Sequence, residues 1–263
     1  MIYPTSIRKP RQTRGFTLVE LLVVIVIIAA LAGISFTAFR SIRAKSNEAT
    51  ASSNMRQIGV AIQTFVADKG RYPGDLFGTD EFNIPWDRQI MNNLASPDFD
   101  FKAGGGRPVL KGSEEAAALG TAAKIFYSPG DNAKIPKDQL ARSYAICPWT
   151  ATQGGPGFQN GFNLPIGTGA PASRVDEPHV AVLLVENQTQ EGRTPNVVGT
   201  GAYEHMFGFT KQPQRSGPAN YHGTNQLLLF VDGHVAQAPG DITADEWVKK
   251  GYSAHLNRDG SRK

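Results

Sequence analysis

Three features of this 263-residue sequence predict an α+β fold. A helix-period segment runs from Phe16 to about Asp68. Two β-prone runs, His179–Val185 and Gln226–Val231, occupy the C-terminal third. The second run meets Asp232-Gly233 and then His234-Val235-Ala236, the pattern of a tight antiparallel hairpin. Helices kept apart from antiparallel strands give an α+β domain rather than an alternating α/β one.

The helical segment changes character along its length. From Phe16 to Phe39 it is apolar, interrupted mainly by Thr17, Glu20, Ser35 and Thr37. At about 1.5 Å per residue this stretch reaches roughly 36 Å, enough to cross a hydrocarbon core of roughly 30 Å. Beyond it the helix becomes amphipathic. Ile42, Ala49, Met55, Ile58, Ile62, Phe65 and Val66 recur at three- and four-residue spacing, with Arg43, Lys45, Glu48, Arg56 and Gln57 between them. Lys69, Gly70 and Pro73 then supply the stop signals.

Glu20 is the anomaly. A carboxylate near a bilayer centre costs about 2.5–3.5 kcal/mol on insertion scales, less at one turn from the helix start. A free α-amino group at Phe16 would offset that cost, by pairing with Glu20 of the same chain or of a neighbouring copy. Such an amine requires a cut between Gly15 and Phe16. An ordinary signal anchor explains the apolar run but not the glycine or the acid. A signal peptide cut after Ala30-Leu31-Ala32 obeys the small-residue rule, yet the helical pattern runs straight through that cut.

Gly15-Phe-Thr-Leu-Val-Glu20 followed by an apolar helix resembles the processing site of type IV pilins and type II secretion pseudopilins. The resemblance implies cleavage between Gly15 and Phe16 by a prepilin peptidase, N-methylation of Phe16, and Glu20 as the assembly residue that docks an incoming subunit. It divides the chain into a leader (1–15), a transmembrane half-helix (16–39), an amphipathic half-helix (40–70) and a globular α+β pilin-like domain (71–263). It also implies single-pass residence in a bacterial inner membrane, with the leader cytoplasmic and the C-terminal domain periplasmic, or extracellular after assembly. The implied partners are other pilin or pseudopilin subunits, an inner-membrane assembly platform and the lipid bilayer.

The net charge of +4 misleads. Of 27 basic side chains, Arg8, Lys9, Arg11 and Arg14 lie in the leader, so without it 23 basic side chains face 23 acidic ones. A nucleic-acid partner is therefore not expected. Arg40, Arg43, Lys45 and Arg56 nearly match the leader's charge, so charge alone does not fix orientation, and the inside assignment rests on the resemblance. Cys147 is the single cysteine; with no intrachain disulfide, packing or a metal must hold the outer domain. It reads as a small buried apolar residue.

In the middle of the chain, a short helix follows Pro85 with Trp86, Ile90 and Leu94 on one side. Ser113 reads as the cap of a helix over Glu114–Leu119. Ile125–Tyr127 and Ser143–Cys147 read as short strands, and Gln153–Pro171 as a long loop. The Asp-Gly turn, read as a two-residue loop, pairs Val231 with His234 and Phe230 with Val235. Thr243-Ala-Asp-Glu246 reads as a capping box opening a last helix with Trp247 and Val248, closed by Gly251.

A second resemblance lies in Asn54-Met-Arg-Gln-Ile-Gly-Val-Ala-Ile-Gln and in His222, nine residues, then Asp232-Gly233. Both are similar to a large pseudopilin-like family of bacterial envelope proteins. It names a machine part without naming what is moved.

Candidate site chemistry is sparse. Glu186, His205, His222, Asp232 and His234 are the residues a catalytic or metal site would draw on. His222, Asp232 and His234 could meet around the hairpin as weak divalent-metal candidates. The plainer expectation is that Asp232 serves the turn and His222 bonds a backbone carbonyl at the strand entrance. Tyr203, Phe207, Phe209 and Tyr221 could form an aromatic platform, though clustered aromatics are more often core. No nucleophile elbow, zincin helix or phosphate loop is present. The expectation is a non-enzymatic filament subunit without catalytic residue or cofactor. The alternative is a signal-anchored extracytoplasmic enzyme or ligand-binding domain.

Overall fold

The computed structural model describes residues 16–73, 85–95, 109–131, 137–146, 172–175, 178–189, 216–218 and 221–240. Expectations about Gly15, Cys147, Gln153–Pro171, Tyr203, His205, Phe207, Phe209 and the Thr243–Gly251 helix lie outside these residues. The chain divides into two compact units, Met1–Lys45 and Ser46–Lys263.

Helix α1 spans Leu18–Lys69. In the first unit its apolar side chains are exposed on every side, from Leu18 through Ile34 to Phe39. Among the described residues α1 is the one helix long and apolar enough to cross a membrane. It ends where the sequence predicts: Gly70 adopts φ +67°, and its N–H donates to the Val66 carbonyl at 2.8 Å. Only glycine adopts that conformation without steric cost, which makes Gly70 a helix terminator.

In the second unit the helix buries Ala51, Met55, Ile58, Ala61, Ile62, Phe65 and Val66. Two members of the expected stripe, Ile42 and Ala49, are exposed, and Ala51 and Ala61 belong to it instead. The stripe packs in one core with Leu184, Leu227 and Leu229 of the sheet. Gly59 permits that approach: a Cβ there would lie 2.8 Å from Leu229 Cδ2.

Helix α2, Trp86–Leu94, buries Trp86, Ile90 and Met91. Helix α3, Glu114–Leu119, is capped by Ser113, whose Oγ accepts from the Ala116 N–H at 3.1 Å. The expected strand over Ile125–Tyr127 is absent. Gly120–Phe126 forms a 3-10 helix, entered through Gly120 at φ +53° and closed by the Tyr127 N–H donating to Lys124. Ile125 and Phe126 are buried as expected, but by a helical turn rather than a pleat.

The sheet is antiparallel, ordered β1 (Tyr144–Ile146), β2 (Val182–Thr189), β4 (Asn225–Phe230), β5 (Val235–Pro239), with β3 (Ser216–Pro218) also pairing β2. β2 begins later than its apolar run, since His179 and Val180 lie in a turn. It continues through Asn187–Thr189, where it meets β3.

The hairpin register differs by one from the two-residue expectation. Leu229 pairs with Val235 and Leu228 with Ala236. The Phe230 N–H donates to His234 O and the Gly233 N–H to Phe230 O, both at 2.9 Å, enclosing a three-residue loop. A two-residue turn of the expected type needs positive φ at both Asp232 and Gly233. Only Gly233 has it, at +90°. Phe230 consequently faces His234, with ring centroids 4.1 Å apart and planes 7° from parallel.

Beneath α2 lies a second buried contact set. Arg142 Nη1 meets Asp87 Oδ2 at 2.7 Å with both side chains wholly buried, and the guanidinium sits 5.5 Å from the Trp86 ring centroid. Arg88, itself buried, pairs with Glu115 at 2.8 Å.

Candidate functional site

The head of α1 carries the first candidate site. Thr17 precedes the first helical residue, and Glu20 occupies the third helical position. The Thr17 N–H and Oγ1 both donate to Glu20 Oε2 at 2.8 Å, while Thr17 Oγ1 accepts from the Glu20 N–H at 3.2 Å. This reciprocal pair is a capping box, which satisfies amides that a helix start otherwise leaves open. The signature Thr17-Leu-Val-Glu20 is local in the sequence, and in it the costly carboxylate of the apolar run doubles as a helix cap. Phe16, next to the box, is 76% exposed. Its partner in the expected cleavage site, Gly15, lies outside the described residues.

The second candidate lies in the other unit, around Glu186 on β2. This carboxylate is buried, and three donors fill it. Oε1 meets Ser128 Oγ and His222 Nε2, each at 3.0 Å, and Oε2 accepts from the Leu227 N–H at 2.8 Å. The His222 ring is almost wholly buried, and its Nδ1 has no hydrogen-bond partner among the described residues. Neighbouring groups extend the network. Ser143 Oγ donates to Asp131 Oδ2 at 2.6 Å and accepts from the Ser128 N–H at 3.0 Å. Tyr127 OH donates to the Asp131 carbonyl, and Asn54 of α1 donates to the Tyr127 carbonyl at 3.0 Å.

Titration behaviour follows from this burial. Burial pulls the His222 imidazole down, but the hydrogen bond and charge of Glu186, joined by the charge of Glu48, leave it above its ordinary value. Burial, reinforced by the Glu186 charge, raises the Tyr144 phenol. Burial and the Asp131 carboxylate push Tyr221 up as well. Ser128 and Glu186 are closed to solvent, so the arrangement fastens five chain segments together and does not present its serine as a nucleophile.

The His222…Asp232-Gly233 spacing now has a geometric meaning. His222 heads a tight turn: its N–H donates to Asn225 O at 3.2 Å and its carbonyl accepts from the Asn225 N–H, with Gly223 at φ +77°. β4 follows, and Asp232 closes its far end. Asp232 Oδ1 accepts from the His234 N–H at 3.0 Å and lies 2.6 Å from His234 Nδ1. The expectation that Asp232 serves the turn therefore agrees with the structure, whereas His222 meets the Asn225 carbonyl through its backbone N–H and its ring binds the Glu186 carboxylate. Burial opposes ionisation of Asp232, but the His234 hydrogen bonds and the charges of His234 and His179 hold its carboxyl below the usual range. β4 separates His222 from Asp232 and His234, roughly 17 Å for a strand of this length. They do not converge, and among the described residues no group of three His, Cys, Asp or Glu side chains is arranged to hold a metal.

Ser128, Asp131 and Ser143 carry no signal of their own in the sequence, and Tyr221 stands out there only as an aromatic of a possible platform. They are joined through contacts between distant segments, and no local spacing announces them.

A family model described as the prokaryotic N-terminal methylation motif matches residues 10–36. Among curated proteins, the type IV major pilin protein PilA of Myxococcus xanthus (strain DK1622) is 38% identical over 61 residues, which is 23% of this chain and 28% of that protein. The chain thus spans about a quarter of the length of the curated relative it matches. No solved structure matches the chain. The chain therefore carries a match to the methylation motif at the head of a long apolar helix, and over 61 residues it is similar to a type IV major pilin.

Proposed function

We propose that this chain is a structural subunit, a pseudopilin, of a short envelope filament serving protein secretion or a pilus-like machine. A prepilin peptidase cuts between Gly15 and Phe16, and the new Phe16 amine is methylated. The subunit then waits in the bacterial inner membrane, spanning it once through residues 16–39, with its C-terminal domain outside the cytoplasm. An assembly platform extracts it, and apolar helices packed side by side supply cohesion. Glu20 pairs with the Phe16 amine of the neighbouring copy and sets the axial register. The chain performs no catalysis in this account.

The observation that carries the reading is the methylation-motif match at a helix whose apolar side chains are exposed all round. A chain with such a surface needs lipid or identical helices against it. The test is the processed N-terminus. Mass spectrometry of the envelope form is expected to give methylated Phe16, and Gly15→Ala to leave an unprocessed precursor. Normal processing of that variant, or an envelope form beginning at Met1 or Gly33, would remove the reading.

A further inference from the structure

The apolar part of α1 is followed by Arg40, Arg43 and Lys45, all exposed, and no acidic residue lies between Glu20 and Glu48. With about 100° of rotation per residue, Arg43 lies roughly 60° to one side of Arg40 and Lys45 roughly 140° to the other. The three charges therefore surround the helix rather than lining one face. The axial rise from Arg40 to Lys45 is about 7.5 Å, comparable with a polar headgroup layer of about 5–8 Å. Arg40 also stacks on the exposed Phe36 ring, at 4.6 Å from its centroid, so its guanidinium reaches back toward the apolar stretch. A long cationic side chain near the end of an apolar span can lie along apolar surface while its charged head stays in water.

We propose that Arg40, Arg43 and Lys45 form a collar that binds the phosphates of anionic phospholipids in the leaflet where the span ends. Charges spread around an axis suit a partner that surrounds the helix. A partner helix or acidic peptide would meet one face and leave the opposite charge unused. The inference rests on the membrane-spanning reading of 16–39 and extends it: the membrane-resident form prefers anionic lipid, and packing into a filament must exchange those lipids for protein.

The full-length chain would be reconstituted into vesicles of equal phosphatidylglycerol and phosphatidylcholine, and the enrichment of each lipid around the protein measured with spin-labelled lipids. Wild type is expected to enrich phosphatidylglycerol up to about fivefold, the effect of one basic side chain near a charged surface. The triple variant Arg40→Gln, Arg43→Gln, Lys45→Gln should lose most of that preference. Both proteins keep the leader, so its basic side chains cancel in the comparison. Arg40→Lys with Arg43→Lys should retain the preference, which separates charge from helix damage. Equal enrichment of the two lipids by wild type, or an unchanged preference in the triple variant, overturns the proposal. Failure of wild type to stay with the vesicles through an alkaline wash overturns the membrane reading itself.

Discussion

His222 Nε2 lies 3.0 Å from Glu186 Oε1, and this contact ties the entrance of β4 to the middle of β2. A carboxylate can only accept, so Nε2 carries the hydrogen and protonation adds one at Nδ1. The folded imidazole titrates above its unfolded value of about 6.5. Its contribution to stability is therefore complete below that value and is lost as pH rises through the folded one. Denaturant unfolding of the detergent-solubilised chain, followed by tryptophan fluorescence, should show this decline, and His222→Gln should flatten it. An unchanged profile in the variant would exclude His222 as its source.

Glu186→Ala should be costlier than His222→Gln. It strands the Ser128 hydroxyl, the Leu227 N–H and the His222 ring in a closed interior. Removing one partner of a buried pair costs on the order of 3–5 kcal/mol. A midpoint shift below 1 kcal/mol would mean that water reaches these groups.

The buried Arg142–Asp87 contact gives an independent check in the same unit. Asp87→Ala alone should destabilise by about 3–5 kcal/mol, because it takes a carboxylate 2.7 Å away out of the surroundings of a closed guanidinium. Asp87→Ala combined with Arg142→Met should cost less than the sum of the single changes. A double-mutant cycle measures that coupling, and additivity would contradict the pairing.

Two glycines hold close approaches. A Cβ on Gly130 would lie 2.8 Å from both the Cβ and the backbone oxygen of Tyr221, and the backbone cannot swing aside as a side-chain tip can. Gly130→Ala should therefore cost about 1–3 kcal/mol, the range for overpacking. At Gly59 the obstacle is the end of the Leu229 side chain, and alanine gains up to about 1 kcal/mol of helix propensity. Gly59→Ala should accordingly be milder than Gly130→Ala. The reverse order in thermal unfolding would show that the Leu229 side chain gives way less easily than the Tyr221 backbone.

At the other end of the chain, Thr17→Ala removes the hydroxyl that both donates to Glu20 and accepts from its N–H. Loss of such a cap costs about 0.5–2 kcal/mol. Hydrogen exchange should accelerate at residues 18–21 and not beyond residue 30. Equal protection in variant and parent would mean that lipid or detergent, not the box, closes the helix end.

The elements legible in the sequence were those fixed by neighbours along the chain. Gly70 with Pro73, Ser113 before two glutamates, and Asp232-Gly233 between apolar runs each state their own geometry. The failures share a different origin. Ile125 and Phe126 are apolar and β-prone, but Gly120 at positive φ starts a helical turn that buries them equally well. The hairpin slipped by one residue because the dipeptide does not say whether one or both of its members adopt positive φ. For the site, Glu20 stands out by its cost in an apolar run, whereas the contacts of Glu186 with His222 and Ser128 join residues 36 and 58 positions apart, beyond any local periodicity.

The box at Thr17 and Glu20 stands wholly downstream of the Gly15–Phe16 bond. Its three bonds use only atoms of Thr17 and Glu20. The proposed cut at that bond would leave every atom of the box in place. What changes is chemical identity: a neutral peptide nitrogen becomes a cation one residue from a carboxylate-bearing turn. The proposed cleavage would in that way act as a switch made by hydrolysis, with the atoms of the box retained.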